Sequence, residues 1–366
     1  MGEVKMFRVL KIGSAFIGII VGAGFASGNE IVQYFTSFGT LGTIAAILST
    51  VLFAYLGMTL TRLGSRTQTT SHKDVIYKIS GPYLGVVVDA IIVFTLFGVG
   101  VVMLAGAGSV LNQQFGLEPY IGNLLMAVLV IGTVMMNVQR VIAVIGSITP
   151  FLVLTIILIG IYSIFTMDSS FAELNPIAKD LDTTLPNWFI SAINYVSFNV
   201  AVGAAMSLVM GGAEKDEKTA ALGGLVGGLG LGLMIIISHL AIFSKIDLVA
   251  DYDMPMLKLV HDISPVLGIF MSVILFGMVF NTAVSMFYAF VARFADMHTK
   301  KSDVMIVVTV TIGFVLSFMG GFKNLVSLVY PFIGYIGLFL IAALIYAPFK
   351  LAKDKRIRTV SVSDKN

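Results

Sequence analysis

The 366-residue chain contains no cysteine, which excludes disulfides, thiolate metal sites and a cysteine nucleophile. Charge is scarce as well. Asp, Glu, Lys and Arg make up 12% of the residues, about half the share of an ordinary soluble domain. The four histidines, His72, His239, His261 and His298, are scattered and form no HxxxH or HExxH pair, so the signature of an intramembrane zinc enzyme is missing. A Gly-x-Ser-x-Gly elbow and a Walker-type loop are also absent, and ATP-driven chemistry would require another subunit. The net charge of +3 gives no reason to expect a nucleic-acid partner. No catalytic set converges, and the expectation is a protein that is not an enzyme.

Hydrophobic residues fill the gap, at 57% of the chain, in runs of about twenty. Ten such runs lie near residues 10–37, 41–62, 83–112, 120–138, 141–166, 187–212, 218–243, 264–294, 304–320 and 324–348. A helix needs about that length to cross a bilayer, whereas a transmembrane barrel would show alternating segments of about ten residues. The fold class expected is therefore an all-α integral membrane protein with about ten transmembrane helices and lipid as its surroundings. The run from Ile12 to Phe25 lacks a small-residue cleavage site and reads as part of the first helix, not as a signal peptide.

Cations set the orientation. With ten spans, Lys5, Arg8, Lys11, Arg62, Arg66, Lys73, Lys78, Arg140, Lys215, Lys218, Arg293, Lys300, Lys301 and the basic tail at 349–366 all share one side. Asp168, Glu173, Asp180, Asp182, Asp247, Asp251 and Asp253 gather on the other. Both termini are expected in the cytoplasm, with the chain multi-pass in the cell membrane. Ten helices divide into two sets of five, 1–166 and 187–348. An odd number per set makes the second enter the membrane upside down, which is the topology of an inverted repeat.

Helix 1 carries the densest polar signal: Gly18, Gly22, Ala23, Gly24, Phe25, Ala26, Ser27, Gly28, Asn29 and Glu30. Glycine costs a helix about 1 kcal/mol relative to alanine, so the cluster favours local unwinding. An unwound stretch is viable in a membrane only against a cavity or other protein, and its freed carbonyls and amides become ligands. Close packing through the Gly18/Gly22 and Gly24/Gly28 pairs is the competing reading. Helix 6 holds the counterpart position in the second half, with Asn194, Tyr195, Ser197, Phe198, Asn199, Gly203 and Ser207. Interruptions at matching places in two halves point to a transporter site.

Glu30 is an acid well inside helix 1, about 9 Å outward of Gly24 on a straight helix. Intramembrane acids face a cavity or a partner, so Glu30 is a candidate for proton coupling or gating. On helix 8, Thr282 and Ser285 share a face and could ligate Na⁺ together with helix 1 carbonyls. The glycines of helix 7, from Gly223 to Gly232, read as a packing face.

The segment Val21-Gly-Ala-Gly-Phe-Ala-Ser-Gly-Asn-Glu-Ile-Val-Gln-Tyr-Phe35 resembles the YkvI-like amino acid permeases of bacteria. That family lies within the amino acid–polyamine–organocation superfamily, whose members share a LeuT-like five-plus-five inverted repeat with broken helices 1 and 6. The resemblance implies a symporter that moves an amino acid or related small zwitterion with Na⁺ or H⁺. It places the substrate at the Gly22-Ala23-Gly24 break. Two departures bear on the ion. Thr282 and Ser285 are separated, where many sodium-coupled relatives have adjacent hydroxyls, and the span 141–166 has no lysine to stand in for sodium. In this reading the carboxylate meets amides opening the outer half-helix near Ala26, and the ammonium meets helix 6 carbonyls. Ser27 and Asn199 add bonds, and Phe25, Tyr195 and Phe198 wall the apolar part. A channel for small solutes is the second class and a membrane-embedded enzyme the third. No resident cofactor is implied beyond possible Na⁺, and oligomeric state leaves no mark in the sequence.

Overall fold

A computed structural model describes residues 2–68, 72–136, 149–339 and 341–342, and every regular element among them is helical. The glycines do interrupt the first span. Helix α1 (Gly2–Ile20) stops before Val21 and Gly22, α2 (Ala23–Ser27) runs for five residues, and α3 (Asn29–Tyr34) follows Gly28. Gly28 has φ 83°, a left-handed conformation that any Cβ would strain, and it joins the two short pieces at an angle. One 3-10 turn, Thr36–Phe38, leads into α4 (Thr40–Thr67).

The remaining order is α5 (His72–Phe115), α6 (Pro119–Met135), α7 (Thr149–Phe165) and α8 (Phe171–Lys179). Then come α9 (Trp188–Gly212), α10 (Glu217–Phe243), α11 (Ile246–Val249), α12 (Pro255–Ile263), α13 (Pro265–Ala292), α14 (Lys300–Ser317) and α15 (Gly321–Phe339). Side chains punctuate these starts. Ser170 and Glu173 form a capping box at α8, Asn187 accepts from the Ile190 amide at α9, and proline opens α6, α12 and α13. At the start of α10, hydrogen bonds from Thr219, Lys5 and the Lys218 amide hold the Asp216 carboxyl down to about 2.

Among the described residues five helices are long and apolar enough to cross a membrane: α4, α5 from Asp89, α10, α13 and α15. A sixth crosses if α9 is taken as one span, because its two parts, Trp188–Ala204 and Met206–Gly212, turn by 56° relative to each other. Helix 6 thus bends near Ala205, beyond the Asn194–Asn199 polar run, and its hydrogen-bonded helix continues through the bend. Residues 141–148 of the expected fifth span, Arg140 and the tail at 349–366 lie outside the described residues. The long polar connections hold short helices that the hydrophobic runs did not announce, α8, α11 and α12.

Burial is inverted relative to a water-soluble bundle. On α10, Gly223, Gly224, Gly227 and Gly228 face inward while Leu222, Val226, Leu229 and Leu233 face out, the last 56% exposed. Large aliphatics outside and small residues inside suit a helix whose surroundings are lipid. A Cβ on Gly228 would lie 2.5 Å from the Phe53 carbonyl carbon and 2.6 Å from Ala54 Cα, so these glycines let α10 and α4 meet backbone to backbone.

Two packed groups result. Helices α1, α4, α9 and α10 contact one another most extensively, and α5, α6, α13 and α14 form the other set. Ion pairs knit each group at the cation-rich end. Arg8–Glu214 (3.1 Å) ties α1 to the α9–α10 turn, and Arg62–Glu217 (2.7 Å) and Arg66–Glu217 (2.7 Å) tie α4 to the start of α10. Arg293 donates to Asp89, joining α13 to α5.

Candidate functional site

The break in helix 1 leaves backbone groups without helical partners. The Val21 amide still bonds Ile17 O (2.8 Å) and the Ala26 amide bonds Gly22 O (3.0 Å), so the outer piece starts at Ala23 and not near Ala26. The carbonyls ending α1, from Gly18 to Val21, and the amides opening α2 flank the gap. With only five residues, α2 has little macrodipole, and any anion there would meet individual amides.

That gap opens on a cavity of about 550 Å³. Gly18 to Gly24 form one wall and Glu30 another, while Phe198, Asn199 and Val202 come from α9 and Asn281, Thr282 and Ser285 from α13. Val99 and Met103 of α5 and Tyr330 of α15 close the remaining sides. The lining continues to Val209 and Ala289, toward the end of the bundle that carries the ion pairs. A second space of about 280 Å³, bordered by Thr95, Val202 and Arg293, prolongs it in the same direction.

Of the residues expected from sequence, Gly22, Ala23, Gly24, Glu30, Phe198, Asn199, Thr282 and Ser285 line this one cavity. Phe25, Ala26, Ser27, Gly28 and Tyr195 do not. Phe25 and Ala26 are buried in the core, and Ser27 spends its hydroxyl on Gly24 O (2.7 Å). Gly28 packs against Met256 of α12. Tyr195 sits one layer outward, ringed by Tyr34, Phe35 and Phe53 with centroids 4.8, 5.0 and 6.0 Å away, and its hydroxyl donates to Glu30 Oε2 at 3.3 Å.

Glu30 is displaced from the place a straight helix gives it. The left-handed turn at Gly28 folds the chain back, so that a Cβ on Gly24 would stand 2.8 Å from Glu30 Cδ and closer still to Oε1. The carboxyl therefore lies beside Gly24, at the gap itself. Asn194 and Ser197 serve packing: they donate to Pro331 O (2.9 Å) and Gly334 O (2.6 Å) and fasten α9 to α15.

Sequence reasoning passed over Tyr330, which stacks on Phe198 at 4.3 Å, and Asn281, whose buried Oδ1 has no hydrogen-bond partner among the described residues. Asn281 adjoins Thr282 in the chain and was open to selection there. Tyr330 carried no local signal. The Thr282 hydroxyl comes within 3.9 Å of where a Gly22 side chain would begin. Hydroxyls, a carboxamide oxygen and the α1 carbonyls together make a neutral, all-oxygen donor set that suits a small hard cation. Among the described residues no three His, Asp or Glu gather as a metal cluster.

No family model matches the chain. It is 27% identical over 337 residues to the uncharacterized membrane protein YkvI of Bacillus subtilis (strain 168), covering 92% of this chain and 94% of that protein. The uncharacterized protein YyaD of the same organism is 24% identical over 333 residues, covering 91% and 94%. Among solved structures, MhsT in complex with L-phenylalanine superposes with a TM-score of 0.61 at 18% identity, over 90% of this chain and 87% of its own. Mhp1 in its inward facing conformation gives 0.59 at 13%, over 90% and 73%. The chain has the LeuT-like transporter fold. It is an all-α integral membrane protein.

Proposed function

We propose that the protein is a secondary active transporter that moves an amino acid or related small zwitterion with a coupling cation, Na⁺ or H⁺. The observation that carries the reading is the helix 1 break, which opens onto a 550 Å³ cavity of the size small-molecule sites have. MhsT, which shares the fold, was solved with L-phenylalanine, and that supports an amino acid as the solute class. Gly22, Ala23 and Gly24, with Phe198 and Asn199, hold the solute, while Thr282, Ser285 and the α1 carbonyls hold Na⁺. Glu30 is the proton carrier if H⁺ couples.

Two five-helix repeats, 1–166 and 187–348, supply the two packed groups, and movement of one against the other exposes the cavity to alternate sides. In the present conformation the cavity runs toward the cation-rich end, which is cytoplasmic in a cell membrane. Outward, the Tyr34–Tyr195 cluster and α12 cover it.

Reconstituted protein should take up a labelled amino acid saturably, driven by an imposed Na⁺ gradient or by a pH gradient, and the effective gradient identifies the ion. Flux that stays linear with solute and ignores both gradients would mean a channel.

A further inference from the structure

The main cavity is rich in oxygen acceptors and, among the described residues, has no cationic side chain: no Lys, Arg or His lines it, and Glu30 is its one acid. Tyr195 holds one oxygen of that carboxyl, and no described residue donates to the other, which lies beside Gly24. Asn199 spends its Nδ2 on Tyr195 O (2.9 Å), which leaves its Oδ1 as an acceptor. Asn281 Oδ1 is buried and unpartnered among the described residues. The α1 carbonyls add further oxygens. The donors are the hydroxyls of Thr282, Ser285 and Tyr330, the Asn281 Nδ2 and the amides of a five-residue helix, and none of them carries a positive charge.

A buried carboxylate without a counter-charge is costly, and orphaned acceptors add to that cost. A ligand that brings positive charge and several N–H donors corrects both. We propose that Glu30, held by Tyr195, is the counter-ion of a protonated amine on the solute, and that the amine, not the carboxylate, anchors the solute. The assignment rests on the transporter reading above. It also explains how an acid is tolerated at the gap, where a solute carboxylate would meet a like charge. Met103, Met206, Met278 and Met286, with Phe198, form an adaptable apolar wall for the rest of the molecule. In this arrangement Glu30 is engaged by the solute and is not the proton carrier, which leaves Na⁺ at Thr282 and Ser285 of α13 as the coupling ion.

The test is equilibrium binding, by thermal shift on the purified full-length chain. The probes are the apolar amino acids, their methyl esters and their N-acetyl derivatives. Esters keep the ammonium and lose the carboxylate; acetylation does the reverse. The expected result is an ester that binds within about threefold of its parent and an N-acetyl form weaker by about thirtyfold or more. Glu30→Gln should abolish both amino acid and ester binding, and Tyr195→Phe, which leaves the acid in place, should weaken both. Binding of N-acetyl forms with loss of the esters overturns the amine anchor and leaves the transporter reading standing. Undiminished ester binding by either variant overturns the role of Glu30. Binding by no member of the panel overturns the zwitterion reading and the anchor with it.

Discussion

Two glycines six residues apart in helix 1 should respond oppositely to the same methyl group. At Gly24 a Cβ would stand 2.8 Å from Glu30 Cδ. Oε1 stands closer still, so in Gly24→Ala the carboxyl must retreat by about 1 Å or more to reach ordinary contact. The obstacle is the end of a flexible side chain, and the fold should survive. The Tyr195–Glu30 hydrogen bond does not have that slack. At 3.3 Å it is already long, and a carboxyl moved by that much, in whichever direction, no longer meets the Tyr195 hydroxyl at hydrogen-bonding geometry. Losing a hydrogen bond to a charged group costs about 1.5–3 kcal/mol, a tenfold to hundredfold fall in affinity if the solute uses this carboxyl. At Gly18, which also lines the cavity, a Cβ meets no described residue within 4 Å. Gly18→Ala should keep affinity within about threefold and stabilise α1 by about 0.5–1 kcal/mol. The assay is solute titration by thermal shift on both variants, with unliganded unfolding temperatures as the folding control. Full affinity in Gly24→Ala, or an equal loss in Gly18→Ala, would refute the reasoning.

Gly228→Ala should destabilise by about 1–3 kcal/mol, because its Cβ meets backbone of α4, whereas Gly132→Ala, whose Cβ meets no described residue within 4 Å, should raise stability slightly; apparent unfolding temperatures in detergent decide. Thr282→Ala with Ser285→Ala should raise the Na⁺ concentration for half-maximal uptake at least about tenfold if sodium couples, and an unchanged value removes α13 from the ion site. Reporter fusions near Asp251 and after Lys350 should report opposite faces of the membrane, and the same face for both would break the ten-span topology.

Much of the fold could be read from hydrophobic runs because a bilayer imposes both length and polarity on each helix. Gly22 marked the helix 1 break for a similar reason: hydrocarbon tolerates glycine clusters only where backbone finds another use. Placement within the site was harder. Serine and asparagine on helix 6 look alike in sequence whether they face a ligand or a neighbour. Asn194 and Ser197 turned out to bind α15 backbone, while Asn199 borders the cavity. Ser27 looked equally suited to a ligand, yet a local bond to Gly24 O satisfies it. Tyr330 enters from α15, more than 130 residues from Phe198, and only tertiary packing brings the two rings together.

Glu30 shows where periodicity fails. On a continuous helix, six residues beyond Gly24 means about 9 Å along the axis, so the acid belongs near the outer mouth. One residue cancels that. Gly28 at φ 83° ends α2, starts α3 at an angle and returns the carboxyl to Gly24. The same turn lets Met256 of α12 pack where a side chain at position 28 would stand. A single left-handed glycine therefore sets two things together: the acid's place at the gap and the close seating of the outer cover. A residue with a Cβ at position 28 would strain the turn and crowd Met256, moving acid and cover at once, whereas Glu30→Gln alters the acid alone. The two changes separate the geometry of the site from its charge.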